Sequence, residues 1–158
     1  MTKGPIAVDA LSVPARAKAS NYPEPYASQM LKRFKHPLGE AFGLKNFGVN
    51  LTRILPGGSS ALRHAHSTQD ELIYVLEGEP VLITDEGETP LKPGMCAGFP
   101  ANGRAHALVN RTNREVIYLE VGDRSAGDRV TYPDDDIMAI ESADGVSRVF
   151  RKKDGSEF

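Results

Sequence analysis

The chain has 158 residues, 40% of them hydrophobic and 25% charged, which is enough for one domain with a core and short for two. Its formal net charge is -2 and it has no block of basic residues, so neither nucleic acid nor a membrane is expected as a partner. The N-terminus lacks the apolar core of a signal peptide, and no apolar run approaches a membrane span, so we expect a cytoplasmic protein. Cys96 is the single cysteine, which excludes an intrachain disulfide and a thiolate metal cluster.

Residues 1–41 predict an extended N-terminal arm with turns. Prolines divide this region into pieces too short for a stable long helix, although the segment from Ala15 to Ala19 could open a short one. The arm also carries apolar side chains, so we expect it to pack on the rest of the domain or on a partner subunit. His36, which precedes Pro37, is interpreted as a solvated loop residue.

Residues 42–121 have the texture of an all-β domain. Short runs rich in Val, Ile, Leu and Tyr alternate with turns that contain Gly and Pro. The predicted strands are Phe47–Leu55, Ser60–His66, Glu71–Glu77, Val81–Thr84, Glu88–Leu91, Met95–Phe99, His106–Asn110 and Val116–Val121. No helical stretch interrupts them, which favours a sandwich or barrel over a parallel sheet. Residues 122–158 are expected to add one more strand and a tail docked on the same domain.

The segment from Glu71 to Glu77 is apolar on both faces. Ile73 and Val75 share the face of Glu71, while Leu72, Tyr74 and Leu76 form the opposite face. A strand of a monomeric sandwich normally turns one polar face to water, so a strand that is apolar on both sides must be covered twice. We therefore predict a homodimer.

Four side chains are candidate metal ligands. His64 and His66 alternate in a predicted strand, so they share a face with their backbones roughly 7 Å apart. Glu71 opens the next strand and could return beside them, and His106 begins another strand after a turn with Pro100 and Gly103. Imidazole and carboxylate ligands suit one borderline divalent ion, which leaves Zn, Mn, Fe and Ni open.

Other polar residues near these ligands are candidates for accessory roles. Arg104 lies in the turn before His106 and could bind a phosphate or carboxylate at the mouth of a barrel. Asn110 shares the face of His106 and is interpreted as structural or as lining a substrate pocket. Arg63 should point away from the ligands toward an ion-pair partner. Cys96 and Phe99 are interpreted as core residues.

The spacing of these residues resembles the two motifs of the cupin superfamily, whose members are double-sheet jelly rolls. The first motif is matched by Gly58, His64, His66, Glu71 and Gly78. The second is matched by Gly94, Pro100, Gly103, His106 and Asn110, with one extra residue between the proline and the second glycine and with Met95 where an aspartate is common. The resemblance implies a jelly-roll barrel over residues 42–121 that binds a divalent metal. More narrowly, the chain resembles small bacterial cupins, some of which are described as sugar-phosphate isomerases.

The resemblance identifies a scaffold better than a reaction. Three imidazoles and one carboxylate would leave an octahedral ion with open positions, and a hydroxy-carbonyl compound bound there would be acidified at the carbon between its oxygens. That chemistry suits isomerisation of a sugar phosphate or other small polar metabolite by proton transfer. Fe(II) at the same site would suit a dioxygenase. A non-catalytic binding or sensing cupin is the third interpretation, and the sequence leaves all three open.

Overall fold

The computed structural model describes residues 4–142 and 147–158. Two short 3-10 helices, Ala10–Ser12 and Ala27–Met30, and one α-helix, α1 (Leu38–Ala41), lie among twelve strands of the described residues. The strands are β1 (Arg33–His36), β2 (Phe47–Ile54), β3 (Ala65–His66), β4 (Glu71–Glu77), β5 (Val81–Thr84), β6 (Gly87–Pro90), β7 (Cys96–Phe99), β8 (His106–Val109), β9 (Val116–Asp123), β10 (Arg129–Thr131), β11 (Met138–Glu141) and β12 (Arg148–Arg151).

The strands form two layers, as the prediction of an all-β double-stranded β-helix requires. One layer is a five-stranded sheet in the order β1-β2-β9-β4-β7. The other layer contains a four-stranded sheet, β12-β11-β10-β3, and a three-stranded sheet, β6-β5-β8. An antiparallel bridge between His64 and His106 links these two sheets edge to edge. The predicted fold class is therefore confirmed. Two candidate ligands, His64 and His106, lie where the two sheets of the second layer meet.

The core between the layers comes from the alternation of each strand. Ile73 and Val75 of β4 face inward and are buried, together with Val116 and Tyr118 of β9. Leu82 and Leu108 of the opposite layer complete this cluster. Because alternate residues of a strand face opposite sides, the same alternation turns Glu71 inward, beside the apolar core.

The N-terminal segment packs against the C-terminal strands in a second core. Met30 is fully buried there with Val130, Tyr132 and Ile137. The ring of Tyr22 makes edge contacts with Tyr132 and Phe150, with centroids 5.7 and 5.5 Å apart. The region from Ala15 to Ala19 is not helical. Residues 122–158 contribute β10, β11 and β12 instead of the single additional strand that we expected.

His36 is not the solvated loop residue that its position before Pro37 predicts. It ends β1, pairs with Leu51 of β2 and is buried, with its Nδ1 2.6 Å from the carbonyl oxygen of Val13. The restriction that proline places on the preceding residue favours an extended backbone, which a strand satisfies as well as a loop does. The N-terminal segment then covers the side chain.

Residues Ser60–His66 form less regular structure than predicted, since only Ala65–His66 of that range is a strand. The predicted strands Glu71–Glu77 and Val81–Thr84 are present with the same bounds. In the part of the chain that the structure describes, no helix is long and apolar enough to cross a membrane.

The outer face of the five-stranded sheet is the surface on which the predicted homodimer would form. Leu72, Tyr74 and Leu76 of β4 are 45%, 41% and 39% exposed on this face, and Met95 at the start of β7 is 40% exposed. An apolar surface of this kind on two identical chains is self-complementary about a twofold axis. We expect a second copy of the chain to cover it.

Replacing Leu72 and Leu76 with lysine should therefore convert a dimer into a monomer, because two charges would be buried at the interface. Light scattering coupled to size-exclusion chromatography measures the mass directly. Phe158→Lys is the matched control, since the exposed Phe158 ring contacts Tyr26 of the N-terminal segment. A wild-type protein that is monomeric at micromolar concentration would contradict the prediction.

Candidate metal centre

The four predicted ligand side chains converge inside the sandwich. The Nε2 atom of His106 lies 3.1 Å from Oε2 of Glu71, and the Nε2 atoms of His64 and His66 each lie 3.7 Å from the same oxygen. Ligand atoms of His64, His66 and Glu71 all lie within 4.8 Å of one another. His64, His66 and Glu71 form a donor set that fits a borderline divalent ion, and His106, beside the same Glu71 oxygen, is the candidate fourth ligand.

The other ring nitrogen of each histidine is turned away from this point toward an acceptor. Nδ1 of His64 is 2.8 Å from the carbonyl oxygen of Leu62, and Nδ1 of His66 is 2.6 Å from Oδ2 of Asp128. An acceptor at Nδ1 places the proton there and leaves Nε2 with a free lone pair, which is the tautomer that a metal requires. The ring of His106 is instead held by stacking on Phe99, with centroids 3.5 Å apart and planes within 3°.

Glu71 remains a carboxylate in this environment. Burial by itself raises the pKa of Glu71. Without a metal, His106 and His64 rings protonated at Nε2 would donate to Glu71 and add positive charge, which outweighs burial and holds the pKa well below its ordinary value. The side chain is 14% exposed. A carboxylate that stays ionised in so enclosed a place is suited to share the charge of a cation.

The extra residue in the second motif is absorbed by the turn before β8. Pro100 to Gly103 form a turn closed by a 2.9 Å bond from the Gly103 amide to the Pro100 carbonyl oxygen, and Asn102 adopts a left-handed backbone with φ 55°. A Cβ at Gly103 would lie 2.6 Å from that carbonyl oxygen, so the turn requires glycine. The Asn102 amide donates to the His66 carbonyl, so the turn is tied to the strand of the other ligands, and His106 still reaches Glu71.

A cavity of about 860 Å³ opens onto this centre. Its inner wall includes apolar residues of both layers, such as Ile73, Phe99 and Leu108. The N-terminal segment forms another part of the wall through Ser20 and Tyr22. The centre is therefore accessible to a small molecule that enters past the N-terminal segment.

The chain is similar to known proteins in sequence and in fold. A family model for the cupin domain matches residues 50–122. The crystal structure of a sugar phosphate isomerase of the cupin superfamily from Silicibacter pomeroyi is 42% identical, with a TM-score of 0.89 and a match that covers 96% of each chain. The chain belongs to the cupin superfamily.

Two further relatives are more distant. The crystal structure of a proposed sugar phosphate isomerase from Acidithiobacillus ferrooxidans is 28% identical, with a TM-score of 0.72 and 80% of each chain covered. An oxalate-binding protein from Thermotoga maritima is 35% identical over 68 residues, which are 42% of this cupin. This cupin spans about half the length of that curated relative, since the match covers 54% of it.

The two accessory candidates lie outside the metal centre. Arg104 is more than half exposed and pairs with Glu86, with Nη2 3.0 Å from Oε1, and it is not among the described residues that line the cavity. Asn110 is buried, and both ends of its side-chain amide are hydrogen-bonded. Its Nδ2 donates to the carbonyl oxygens of Ile54 and Arg114, and its Oδ1 accepts from Thr112. Asn110 therefore has the contacts that its structural interpretation predicts, and Arg104 is an exposed member of an ion pair.

The predictions for Arg63, Phe99 and Cys96 have different outcomes. Arg63 points away from the histidines and pairs with Asp85 and Asp134, as expected. Phe99 is a core residue, but the prediction for Cys96 is wrong, because Cys96 pairs with the exposed Tyr74 on the outer face of β7 and is exposed itself.

Sequence reasoning missed Asp128, which supports His66. Asp128 is nearly fully buried and also accepts hydrogen bonds from the backbone amides of Ser67 and Thr68 and from Arg148. Burial opposes its ionisation, but the hydrogen bonds from His66 and Thr68 and the charges of His66 and Arg148 lower the pKa of Asp128 below its ordinary value. Its only signal in the sequence is an aspartate beside a glycine in a loop, which does not reveal the pairing with β3.

Asp128→Asn should weaken divalent-metal binding by roughly 10- to 100-fold, because His66 would lose the anionic acceptor that fixes its tautomer. Competition against a chromophoric chelator measures the affinity, and the melting temperature checks the fold. Asp134→Asn is the matched control, since Asp134 pairs with Arg63 and is 58% exposed. Equal metal affinities for both variants would contradict a supporting role for Asp128.

Proposed function

We propose that this cupin is a metal-dependent isomerase of phosphorylated hydroxy-carbonyl compounds, with sugar phosphates as the substrate class. The observation that carries the proposal is that the candidate metal ligands and a group of unpaired cations line the same cavity. A metal-polarised carbonyl and a phosphate site are the two recognition elements that such a substrate needs.

The unpaired cations are Lys18, Lys45 and Arg124. They are exposed residues of the cavity lining and come from the N-terminal segment, the loop before β2 and the segment after β9. None of the three makes an ion pair with any residue of 4–142 or 147–158. A phosphate group carries a charge of about -1.5 to -2 at pH 7, so it would gain Coulombic stabilisation from all three.

Three of the seven acidic side chains of the cavity lining form ion pairs with three of its seven cations. Glu40 pairs with Arg16, and Glu120 pairs with Lys35 at 2.7 Å. Asp128 is paired with Arg148 at 2.9 Å and contacts His66. The charges of the lining balance, so a divalent cation at the four candidate ligands would supply the net positive charge that favours an anionic ligand, and Lys18, Lys45 and Arg124 would act locally on its phosphate.

The candidate metal ligands and the cations at the mouth of the cavity would each bind a different part of the substrate. A divalent cation held by His64, His66, Glu71 and His106 would polarise the carbonyl of a bound substrate and acidify the adjacent C–H bond. The cations of the mouth would orient the phosphate away from the centre. The names of two relatives, a sugar phosphate isomerase from Silicibacter pomeroyi and a proposed one from Acidithiobacillus ferrooxidans, support the same substrate class.

Incubation of the metal-loaded protein with a panel of tetrose, pentose and hexose phosphates, followed by NMR, tests the proposal. We expect at least one aldose phosphate to equilibrate with its ketose. Replacing Lys18, Lys45 and Arg124 together with glutamine should weaken substrate binding by roughly 0.6 to 3 kcal/mol if their contributions add, mostly as a higher KM and mostly at low salt.

Lys92→Gln is the control for that variant, because Lys92 is exposed and is not among the described residues of the cavity. No interconversion of any compound in the panel would contradict the isomerase proposal. Oxygen uptake by the Fe(II)-loaded protein would favour a dioxygenase instead.

Capture of a small dicarboxylate without turnover is a second candidate, supported by the oxalate-binding relative. The same cations and metal centre would bind two carboxylates. A rise in melting temperature with oxalate that exceeds the rise with any sugar phosphate, and no turnover of either, would favour this function.

A further inference from the structure

A second polar cluster lies on the inner face of the five-stranded sheet, apart from the candidate metal ligands. Glu120 of β9 is its centre. Its Oε1 accepts hydrogen bonds from Nζ of Lys35 at 2.7 Å and from Nδ2 of Asn50 at 3.0 Å, and its Oε2 accepts one from the Tyr118 hydroxyl at 3.3 Å. All four residues line the cavity. The Glu120 side chain is 13% exposed and thus shielded from bulk water.

The register of the sheet places Glu120 near the metal centre. In the antiparallel pair of β4 and β9, Glu71 is opposite Gly122 and Ile73 is opposite Glu120. Glu71 and Glu120 are therefore diagonal neighbours on one face, about 7–8 Å apart between Cα atoms. Gly122 and its neighbour Gly48 on β2 carry no side chain, although the Arg124 guanidinium lies 3.8 Å from where a Cβ of Gly48 would be.

Glu120 also keeps acceptor positions that its three partners do not fill. A carboxylate offers about four acceptor positions, and Oε1 uses two of them on short bonds to Lys35 and Asn50. Oε2 receives only the longer bond from Tyr118, so it is the oxygen left for a ligand. Burial and the charge of Glu120 raise the pKa of the Tyr118 phenol well above its ordinary value, so Tyr118 remains a neutral donor to this oxygen.

The other carboxylates of the cavity are engaged elsewhere. Glu71 is surrounded by histidines, and Asp128 is bound by His66, Arg148 and two backbone amides. The remaining carboxylates are also engaged: Glu40 pairs with Arg16, Asp70 accepts from the Ala101 amide, Asp123 accepts from the amides of Asp70 and Ser125, and Glu141 accepts from the Gly127 amide. Among the described residues of the cavity lining, Glu120 is the carboxylate that side chains of the inner sheet face hold in place close to the candidate metal centre.

We propose that Glu120 is the catalytic residue that transfers the proton in the isomerisation, with Lys35 and Asn50 as positioning residues. The inference rests on the proposed function. Glu120 takes the proton from C2 of an aldose phosphate, the C–H electron pair forms the C1–C2 double bond, and the carbonyl electron pair moves to O1. Glu120 then returns the proton to C1 while the O2 proton is transferred to O1 and C2 becomes the carbonyl. The ketose has the composition of the aldose, so no oxidant or reductant is required.

Glu120→Gln tests the inference, because glutamine has the same shape but cannot take up a proton from carbon. The exchange of the C2 proton with solvent is followed by NMR in deuterium oxide for the aldose phosphates of the panel. We expect the rate of exchange to fall by about 100- to 10,000-fold. Glu120→Asp should retain part of the rate, with the loss in kcat and little change in KM, since its carboxylate is retracted by one methylene.

Two measurements that do not depend on turnover separate catalysis from folding and binding. Glu120→Gln should keep the metal content of the wild type. It should also keep the rise in melting temperature produced by the alditol phosphates, which lack a carbonyl and cannot react. Glu88→Gln is the matched control, because Glu88 is exposed and pairs with Arg111. This control should exchange at the wild-type rate.

The outcomes separate the two proposals. Exchange by Glu120→Gln at the wild-type rate would overturn the role of Glu120 and leave the isomerase proposal standing. Loss of exchange together with loss of the metal or of alditol phosphate binding would show a structural role and would also overturn it. A metal-loaded wild-type protein that neither exchanges the C2 proton of any compound in the panel nor isomerises any of them would overturn the isomerase proposal and, with it, the proton transfer by Glu120.

Discussion

The burial of one carboxylate constrains the rest of this structure. Glu71 enters the interior of the sandwich because it shares the inner face of β4 with Ile73 and Val75, which are almost completely buried. An isolated carboxylate in such a place would be costly, since its lost hydration must be replaced by partners. Three imidazoles supply them, and one of the three, His106, reaches Glu71 from β8.

The same residues hold the second layer together. The backbones of His64 and His106 form the bridge between the four-stranded and three-stranded sheets, through bonds of 3.1 and 2.9 Å in which each amide donates to the other carbonyl. The side chains that surround Glu71 therefore project from the seam of that layer. A change of register between the backbones of His64 and His106 would both move the imidazoles and disrupt the bridge between the two sheets. The geometry of the metal centre is therefore coupled to the fold.

The inner face of the five-stranded sheet changes from apolar to polar along its strands. Val116 and Tyr118 of β9 lie in the core, whereas Glu120 and Gly122 further along line the cavity. The N-terminal segment covers this polar end and is attached there by backbone and side-chain contacts, such as the bond from the Arg16 amide to the Lys35 carbonyl. The protein thus keeps its packing core at one end of the sandwich and a ligand cavity at the other.

The sequence predicts the parts of this arrangement that depend on local pattern. The alternation in Glu71–Glu77 and the spacing of His64 and His66 are properties of single strands, and the structure contains both as expected. The prediction for Cys96 is wrong because Cys96 and Phe99 are three residues apart in β7 and so face opposite sides of the sheet, Phe99 toward the core and Cys96 toward solvent.

Glu120, Asp128 and the cations of the cavity could not be identified in this way. Asn50 and Glu120 are 70 residues apart in the chain, and His66 and Asp128 are 62 apart. Only the pairing of distant strands places them together, and no local periodicity encodes that pairing. The same holds for Lys18, which reaches the cavity because the N-terminal segment folds back over the sheet.

The central claim is that Glu71 and the three histidines hold a metal ion, and the metal content of the protein tests it most directly. Elemental analysis of protein purified without an affinity tag should find about one divalent ion per chain, bound by the folded state. The His64→Ala, His66→Ala double variant should contain none while keeping the β-sheet signal of the wild type in circular dichroism. Wild-type protein that is free of divalent metal, even after incubation with Zn, Mn, Fe and Ni salts and removal of the excess, would contradict the account.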